Sequence, residues 1–322
     1  MTPVFLLSLP RSGSTFVQRV LATDPAVATA SEPWIMLPLV YGRRGFGIYA
    51  EYGQEWATVA FEDFEARLPA GAAEVDEAIR RYALYLYERG GGGASRYFVD
   101  KTPRYALIVD DLLRIFPDAK FVVLWRNPLA VVASILETWG NGGFNLHDYY
   151  IDLYGGLARL IQAAEDEPAR LCPVRYEDLI ETPEAAWPRV FAHLGLAYER
   201  DALDRFGTID LDARVGDQTG RRRYDRPSAE PLTKWRAALH NPLRRRWCER
   251  YLRWIGSERL LVMGYRLDDL LRDLHHVPAS WSGLGRDLIS ATRGAAFGAL
   301  ELRMMKDKFA DARSVSAFVP HH

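Results

Sequence analysis

The chain has 322 residues, of which 48% are hydrophobic and 26% charged, a composition typical of a globular protein with a sizeable core. Its 41 basic and 42 acidic residues give a formal net charge of -1, which argues against nucleic-acid binding, because such domains are usually basic. Two distant cysteines, Cys172 and Cys248, argue against a disulfide framework or a thiolate metal site. The sequence also predicts no transmembrane segment, no secretory leader and a reducing, cytoplasmic setting.

Apolar runs alternate with amphipathic segments along the first half of the chain. Four runs predict strands, at Val4–Leu9, Tyr97–Val99, Lys120–Trp125 and Cys172–Tyr176. Their near-continuous hydrophobicity is typical of strands buried on both faces of a parallel sheet. Helices are predicted between them, at Ser14–Ala22, Ala73–Arg89, Tyr105–Ile115, Pro128–Thr138 and Tyr149–Ala164. This alternation predicts an α/β fold of three layers, with helices on both faces of a central parallel sheet.

Beyond Thr182 only helices are predicted, at Glu184–Leu194, Pro242–Ile255 and Leu284–Phe309. We assign residues 1–275 to one α/β domain and residues 276–322 to a helical C-terminal extension. The last helix combines a rough apolar stripe with basic residues. That pattern is consistent with packing on the domain, with contact in a homo-oligomer, or with a helix lying on a membrane surface.

The stretch LPRSGSTFVQRVL joins the first predicted strand to the first predicted helix. A glycine permits a tight turn there, and the amides of the first helical turn favour an anion. The residues that would surround that anion are Arg11, Ser12, Gly13, Ser14 and Thr15. The stretch lacks the lysine of a nucleotide triphosphatase loop, which disfavours a Mg²⁺-bound triphosphate. The alternative is a plain strand-to-helix turn with Ser12 as its N-cap.

A second candidate anion site lies in VVLWRNPLAVVAS. Arg126 ends a predicted strand, and Ser134 lies about two turns along the following helix. Because ligands bind outside the carboxyl ends of parallel strands, we expect both side chains near the first loop. The alternatives are a surface salt bridge for Arg126 and a small packing residue for Ser134.

Together, PRSGSTF and RNPLAVVAS resemble the paired nucleotide-binding segments of sulfotransferases that use 3′-phosphoadenosine 5′-phosphosulfate, and the bacterial and tyrosylprotein branches in particular. The resemblance implies a fold related to P-loop nucleotide kinases and a reaction that needs no metal. It implies that the first loop holds the 5′-phosphosulfate and that Arg126 and Ser134 hold the 3′-phosphate. Tyr176, in VRYEDL, would lie near the adenine and stack on it. Its alternative role is that of a half-buried tyrosine at a strand end.

The resemblance also implies the catalytic residues. Glu32, in TASEPW, would be the general base that takes the proton from the acceptor hydroxyl. Lys101, in FVDKTPRY, would neutralise charge on the bridging oxygen as the sulfuryl group departs, and Arg11 is assigned beside it. The alternatives are that Glu32 caps a segment or pairs with an arginine, and that Lys101 forms a surface pair with Asp100.

The resulting hypothesis is a sulfotransferase that moves a sulfuryl group to a hydroxyl of a carbohydrate, a small molecule or a lipid-linked acceptor. An ATP-dependent kinase of P-loop fold and a non-catalytic nucleotide-binding protein are the alternatives. In the irregular basic segment 216–236, the resemblance makes Gly220, Arg221 and Lys234 candidate contacts to the 3′-phosphate. The alternatives are a solvated basic loop and a loop that binds an acidic acceptor. The aromatic residues proposed to line the acceptor site are Trp34, Tyr41, Tyr49 and Trp56, and packing in the core is their alternative role. Arg104, in FVDKTPRY, is a further candidate for acceptor or phosphate binding.

Overall fold

The computed structural model describes residues 1–140, 142–211 and 226–300. Its strands are β1 (Thr2–Ser8), β2 (Val27–Thr29), β3 (Tyr97–Asp100), β4 (Lys120–Trp125) and β5 (Leu171–Arg175). They form one parallel sheet in the order β2-β3-β1-β4-β5. Four strands match the predicted ones closely. The edge strand β2 was not predicted, because three residues are too few to display a strand pattern.

The sheet separates two hydrophobic cores. Alternate residues of β1 and β4 point to opposite faces, as the pleat requires. One core contains Phe5, Leu7, Phe121 and Val123, and the other contains Val4, Leu6, Val122 and Leu124. All of these side chains are buried, and each contributes roughly 1.5–3 kcal/mol of transfer free energy. Burial on both faces explains why these strands are apolar throughout rather than alternating.

Helices cover both faces of the sheet. They are α1 (Ser14–Leu21), α2 (Met36–Tyr41), α3 (Gln54–Glu65), α4 (Ala72–Gly90), α5 (Val109–Ile115), α6 (Pro128–Thr138), α7 (Leu157–Asp166), α8 (Tyr176–Glu181) and α9 (Pro183–Leu194). Apolar residues of α1, α8 and α9 pack on one face, and those of α2 and α4–α7 pack on the other. This arrangement confirms the predicted three-layer α/β fold.

Three predicted elements differ in detail from the structure. The segment before α5 is a 3₁₀ helix, Pro103–Ile108, rather than the start of an α-helix. The predicted helix Tyr149–Ala164 begins after a 3₁₀ turn, Leu146–Tyr149, with a π-helical stretch at Ile151–Gly156, and becomes α7 only beyond it. Tyr176 opens α8 instead of ending β5. Hydrophobic periodicity cannot distinguish these tighter and wider turns from an α-helix.

The remainder of the described chain is helical. It comprises α10 (Ala202–Arg205), a 3₁₀ turn (Phe206–Thr208), α11 (Glu230–Thr233), α12 (Trp235–Ala238), α13 (Pro242–Ile255), α14 (Ser257–Val262), α15 (Leu267–His275) and α16 (Leu284–Leu300). The buried carboxylate of Asp287 fixes α16 to the domain, since it accepts from Arg244 at 2.6 Å and from Asn241 at 2.5 Å. Three sequence-based interpretations stay predictions: that the domain ends at residue 275, that the protein forms a homo-oligomer, and that the C-terminal helix contacts a membrane surface. Within the described ranges, no helix combines the length and the apolar character that crossing a bilayer requires.

Candidate active site

The predicted site residues follow the carboxyl ends of the strands. Arg11 follows β1, Glu32 follows β2, Lys101 follows β3, Arg126 follows β4 and Tyr176 follows β5. Because all five strands are parallel, these ends share one edge of the sheet. Two cavities open along that edge, one of about 470 Å³ and one of about 380 Å³. After the roles that the sequence predicts for the residues that line them, we call the larger the donor cavity and the smaller the acceptor cavity.

The loop between β1 and α1 has a backbone that few residues tolerate. Gly13 is the N-cap of α1, with a φ of 89°, and Arg11 has a φ of 65°. The first helical hydrogen bond is donated by Phe16 N to Gly13 O at 3.0 Å, so the amides of Ser14 and Thr15 precede it. A Cβ on Gly13 would lie 2.5 Å from the Tyr176 ring. The glycine is therefore required both for its conformation and for close packing.

Ser12 does not have the position that an N-cap requires. The cap is Gly13, and no side chain caps α1. Ser12 is 1% exposed and lines neither the donor nor the acceptor cavity. Its assignment to the donor therefore stays a prediction. Ser14 lines the acceptor cavity, and Thr15 lines both cavities.

Arg126 is held at the carboxyl end of β4 by hydrogen bonds from its two terminal nitrogens. Nη1 donates to Arg11 O at 2.7 Å, and Nη2 donates to Pro231 O at 3.0 Å. The guanidinium lies 4.8 Å from the centre of the Tyr176 ring. Its Nε is buried and makes no hydrogen bond with the described residues. A fixed cation with an orphaned donor beside a cavity fits an anionic ligand such as a phosphate.

Arg11 links the two cavities. Its Nε donates to Ser134 Oγ at 3.2 Å, and its guanidinium lies 5.7 Å from the centre of the Trp139 ring. Arg11 and Thr15 line both cavities, as does Gly13. Ser134 lines the donor cavity, on the second turn of α6. The structure therefore places the two predicted anion-binding segments in direct contact.

Glu32 and Lys101 form a buried ion pair in the acceptor cavity. Lys101 Nζ lies 2.7 Å from Glu32 Oε1 and 3.4 Å from Thr15 Oγ1. The other carboxylate oxygen of Glu32 accepts from Trp34 Nε1 at 3.2 Å. Asp100, which was the alternative partner of Lys101, instead accepts hydrogen bonds from buried hydroxyl groups. Lys101 thus connects the candidate base to the loop after β1.

The walls of the acceptor cavity are aromatic, and sequence reasoning found only part of them. Trp34 lines the cavity as predicted, whereas Tyr41, Tyr49 and Trp56 lie outside it. The walls that were missed include Trp139 and Tyr149, whose rings stack at 5.0 Å. Arg104, a candidate for acceptor or phosphate binding, also lines the cavity, and its Nε lies 2.6 Å from Asp152 Oδ1. Trp139 follows a predicted helix directly, but nothing local indicates that it faces a cavity.

The donor cavity is also lined by residues from outside the two predicted anion-binding segments. Lys234, a predicted donor contact, lines it and pairs with Glu137 Oε2 at 3.0 Å. Arg19 was missed, and it lines the cavity while donating to Gly207 O at 2.6 Å. The predicted contacts Gly220 and Arg221 lie outside the described residues.

The protein is thus a three-layer α/β protein in which the loop after the first strand borders two joined cavities. The chain belongs to the sulfotransferase family, whose model matches residues 3–200, more than half of its length. Sulfuryl transfer is the reaction of that family. The sequence-based assignment to the sulfotransferases is thereby confirmed.

Individual relatives agree with this assignment. Nodulation protein NoeE of Sinorhizobium fredii is 31% identical over 214 residues, which cover 59% of this chain but only 49% of NoeE. This chain therefore spans about half the length of that relative. Protein-tyrosine sulfotransferase 2 of Gallus gallus is 25% identical over 295 residues, covering 89% of this chain and 70% of the relative.

Solved structures share the fold. The sulfotransferase domain of the Synechococcus PCC 7002 olefin synthase is 26% identical, with a TM-score of 0.52, and the match covers 73% of this chain and 88% of that domain. The sulfotransferase domain from the curacin biosynthetic pathway matches with the same TM-score of 0.52 at 19% identity, covering 74% of this chain and 91% of that domain.

Proposed function

We propose that the protein transfers the sulfuryl group of 3′-phosphoadenosine 5′-phosphosulfate to a hydroxyl of a small acceptor. The observation that carries the proposal is that the two cavities meet at the segment between β1 and α1. Three residues there, Arg11, Gly13 and Thr15, line both cavities. A donor bound in the larger cavity would present its transferable group at that junction. An acceptor in the smaller cavity would approach the same point beside Glu32 and Lys101.

The donor cavity matches the two anionic ends of this nucleotide. The loop amides before Phe16 and the Arg11 guanidinium suit the 5′-phosphosulfate. Arg126 and Ser134 suit the 3′-phosphate, and the buried Nε of Arg126 supplies a donor without a partner among the described residues. Tyr176 lines the same cavity and is assigned to the adenine, with Arg126 over its ring. A transferred sulfuryl group carries less charge than a phosphoryl group, which lessens the need for Mg²⁺.

The proposed reaction is a single displacement at sulfur. Glu32 accepts the hydroxyl proton while the acceptor oxygen forms a bond to sulfur. The bond between sulfur and the bridging oxygen breaks, and its electron pair stays on the phosphate of the departing nucleotide. Lys101 and Arg11 neutralise the charge that develops there. The products are a sulfate ester and 3′-phosphoadenosine 5′-phosphate.

The acceptor cavity supports a carbohydrate or a related small molecule. Its volume of about 380 Å³ lies in the usual range for small-molecule sites. Trp34, Trp139 and Tyr149 provide flat apolar surfaces that suit the faces of sugar rings, while charged groups lie at one end. Relatives named as protein-tyrosine sulfotransferases make a phenolic hydroxyl the alternative.

Two free cysteines, Cys172 and Cys248, support the proposed reducing, cytoplasmic setting.

Calorimetric titration tests the donor assignment. We expect 3′-phosphoadenosine 5′-phosphate to bind without metal and more tightly than ATP with Mg²⁺. Arg126→Ala should weaken binding of the bisphosphate by about 10- to 100-fold, which is the value of hydrogen bonds to a charged group. Ser134→Ala should weaken it less, and Arg253→Ala, at an exposed arginine of α13, should leave it unchanged.

The other outcomes identify the alternatives. Tight binding of Mg-ATP, without measurable binding of 3′-phosphoadenosine 5′-phosphate, would favour a kinase and overturn the proposal. Tight bisphosphate binding without sulfate transfer to any sugar, phenol or lipid-linked hydroxyl would favour a non-catalytic nucleotide-binding protein. Transfer of ³⁵S-labelled sulfate to a sugar rather than to a tyrosine peptide would support the proposed acceptor class.

A further inference from the structure

A buried carboxylate, that of Asp100, immediately precedes Lys101, which lines the acceptor cavity. Asp100, the last residue of β3, is fully buried and accepts three hydrogen bonds from hydroxyl groups. Thr102 Oγ1 donates to its Oδ1 at 2.9 Å, while Tyr87 and Tyr105 donate to its Oδ2 at 2.6 and 2.9 Å. Asp100 lines neither of the two cavities.

Two of these hydroxyl groups continue to the segment that carries Glu32. Thr102 Oγ1 accepts from the amide of Trp34 at 3.4 Å, and Tyr105 OH accepts from the amide of Met36 at 3.1 Å. Each hydroxyl thus donates to Asp100 and accepts from a backbone amide. Tyr87, in contrast, bonds to Asp100 but to no atom of residues 32–36 in the described part of the chain.

The other end of the same segment is held from α1. Gln18 Nε2 donates to Ala30 O at 2.6 Å and to Ser31 O at 3.1 Å. Between these two attachments the backbone is strained, since Trp34 has a φ of 56° without being a glycine. Such a conformation persists only where the surroundings determine it more strongly than local preference does. The restraints around it are the bonds that Gln18 donates to Ala30 O and Ser31 O and the bonds that the Thr102 and Tyr105 hydroxyl groups accept from backbone amides.

We propose that Asp100 is a positioning residue that holds Glu32 against Lys101 and the acceptor, acting through the hydroxyl groups of Thr102 and Tyr105. The ionised carboxylate is the form that accepts from all three hydroxyl groups at once. Each hydroxyl then keeps a lone pair for a backbone amide. A protonated carboxyl would have to donate to one of them and would compete with that arrangement.

The charge state of Asp100 is set by its surroundings. Burial raises its pKa to about 6, while the three hydroxyl groups and the Lys101 cation oppose that rise. The titratable groups that face it are Tyr87 of α4, Tyr105 of the 3₁₀ helix and Lys101, which is itself paired with Glu32. The positioning effect should therefore weaken as the pH falls through about 6.

Three variants, each lacking one hydroxyl, test the proposal. Tyr105→Phe and Thr102→Val each break one connection between Asp100 and residues 34–36. Tyr87→Phe removes a hydroxyl from the same carboxylate without breaking a connection, and its ring still stacks on Phe98 at 4.6 Å. We expect amide hydrogen exchange of residues 31–36, followed by mass spectrometry, to accelerate in the first two variants and not in the third. Equal acceleration in all three, or in none, would overturn the connection itself.

The effect on turnover rests on the proposed function and is measured separately. We expect Tyr105→Phe and Thr102→Val to lower kcat by about 10- to 100-fold, the cost of a small misplacement of a reacting group. The dissociation constant for 3′-phosphoadenosine 5′-phosphate should stay the same, and Tyr87→Phe should retain kcat within about threefold. Faster exchange with unchanged kcat would overturn the positioning role. An inactive wild-type protein with the expected exchange pattern would instead count against the proposed function.

Discussion

Lys101 Nζ lies 2.7 Å from Glu32 Oε1, in a pair whose side chains are only 2% and 10% exposed. A buried ion pair gains little net stability, because desolvation of both charges offsets their attraction. The same ammonium group also lies 3.4 Å from Thr15 Oγ1, at the start of α1. One cation therefore connects the candidate base with the loop assigned to the donor. This placement is better explained by the reaction than by the stability of the fold.

Glu32→Gln tests the base directly. The amide keeps the shape of the side chain but cannot take the hydroxyl proton. We expect kcat to fall by about 10²–10⁴-fold, the usual contribution of a positioned general base. The dissociation constant of the donor should change less than about twofold, since Glu32 does not line the donor cavity. Glu62→Gln, at an exposed position of α3, is the control, and normal turnover of Glu32→Gln would exclude Glu32 as the base.

Lys101→Met tests the pair itself. Removal of one partner leaves the other charge buried and unpaired, which typically costs about 3–5 kcal/mol. We expect the free energy of unfolding, measured by urea denaturation, to drop by about 3–5 kcal/mol. The double variant Lys101→Met/Glu32→Gln should regain part of that loss, because no unpaired charge remains. A double variant with the summed loss of both single variants would mean that the two side chains do not interact.

Gly13→Ala tests the close packing of the first loop. Its new Cβ would lie 2.5 Å from the Tyr176 ring, in a backbone with a φ of 89°. We expect binding of 3′-phosphoadenosine 5′-phosphate to be lost in calorimetric titration. Gly92→Ala is the matched control, since Gly92 also has a positive φ, of 74°, but a Cβ there meets nothing within 4 Å. The control should share the backbone strain, of order 1 kcal/mol, and still bind the nucleotide.

Asp100→Asn tests the buried carboxylate through stability. Burial raises the pKa of Asp100 from 3.8 to about 6, so between these values the folded protein binds a proton that the unfolded chain has released. The stabilisation from that proton is fully present below about pH 4 and is lost as the pH rises through about 6. Relative to Asp100→Asn, the wild type should lose on the order of 2–3 kcal/mol between pH 4 and pH 7.

Urea unfolding of both proteins at several pH values measures this difference. Asp118→Asn, at an exposed turn, controls for the loss of one negative charge. A constant difference between the wild type and Asp100→Asn across this pH range would show that burial does not perturb the carboxyl group.

Much of the fold was predictable because its signals are local. The apolar runs of β1, β3, β4 and β5 report burial on both faces, and Pro128 and Pro183 mark helix starts. The short edge strand β2 and the π-helical stretch at Ile151–Gly156 have no comparable signal. The loop before α1 was also predicted, since Gly13 has the positive φ for which glycine is preferred.

By itself, the sequence determined the strand–loop–helix segments around Gly13 and Arg126 and the charges that each one carries. Only the tertiary structure decided which of those charges meet. Glu32 and Lys101 are 69 residues apart, and Arg11 and Ser134 are 123 apart. Trp139 became a cavity wall beside Arg11, which is also distant in sequence, whereas Asp100 accepts from hydroxyl groups only 2, 5 and 13 residues away. Local sequence patterns reflect periodicity and turn chemistry. Contacts between distant side chains depend instead on the spatial order of the parallel strands in the sheet, which no local pattern encodes.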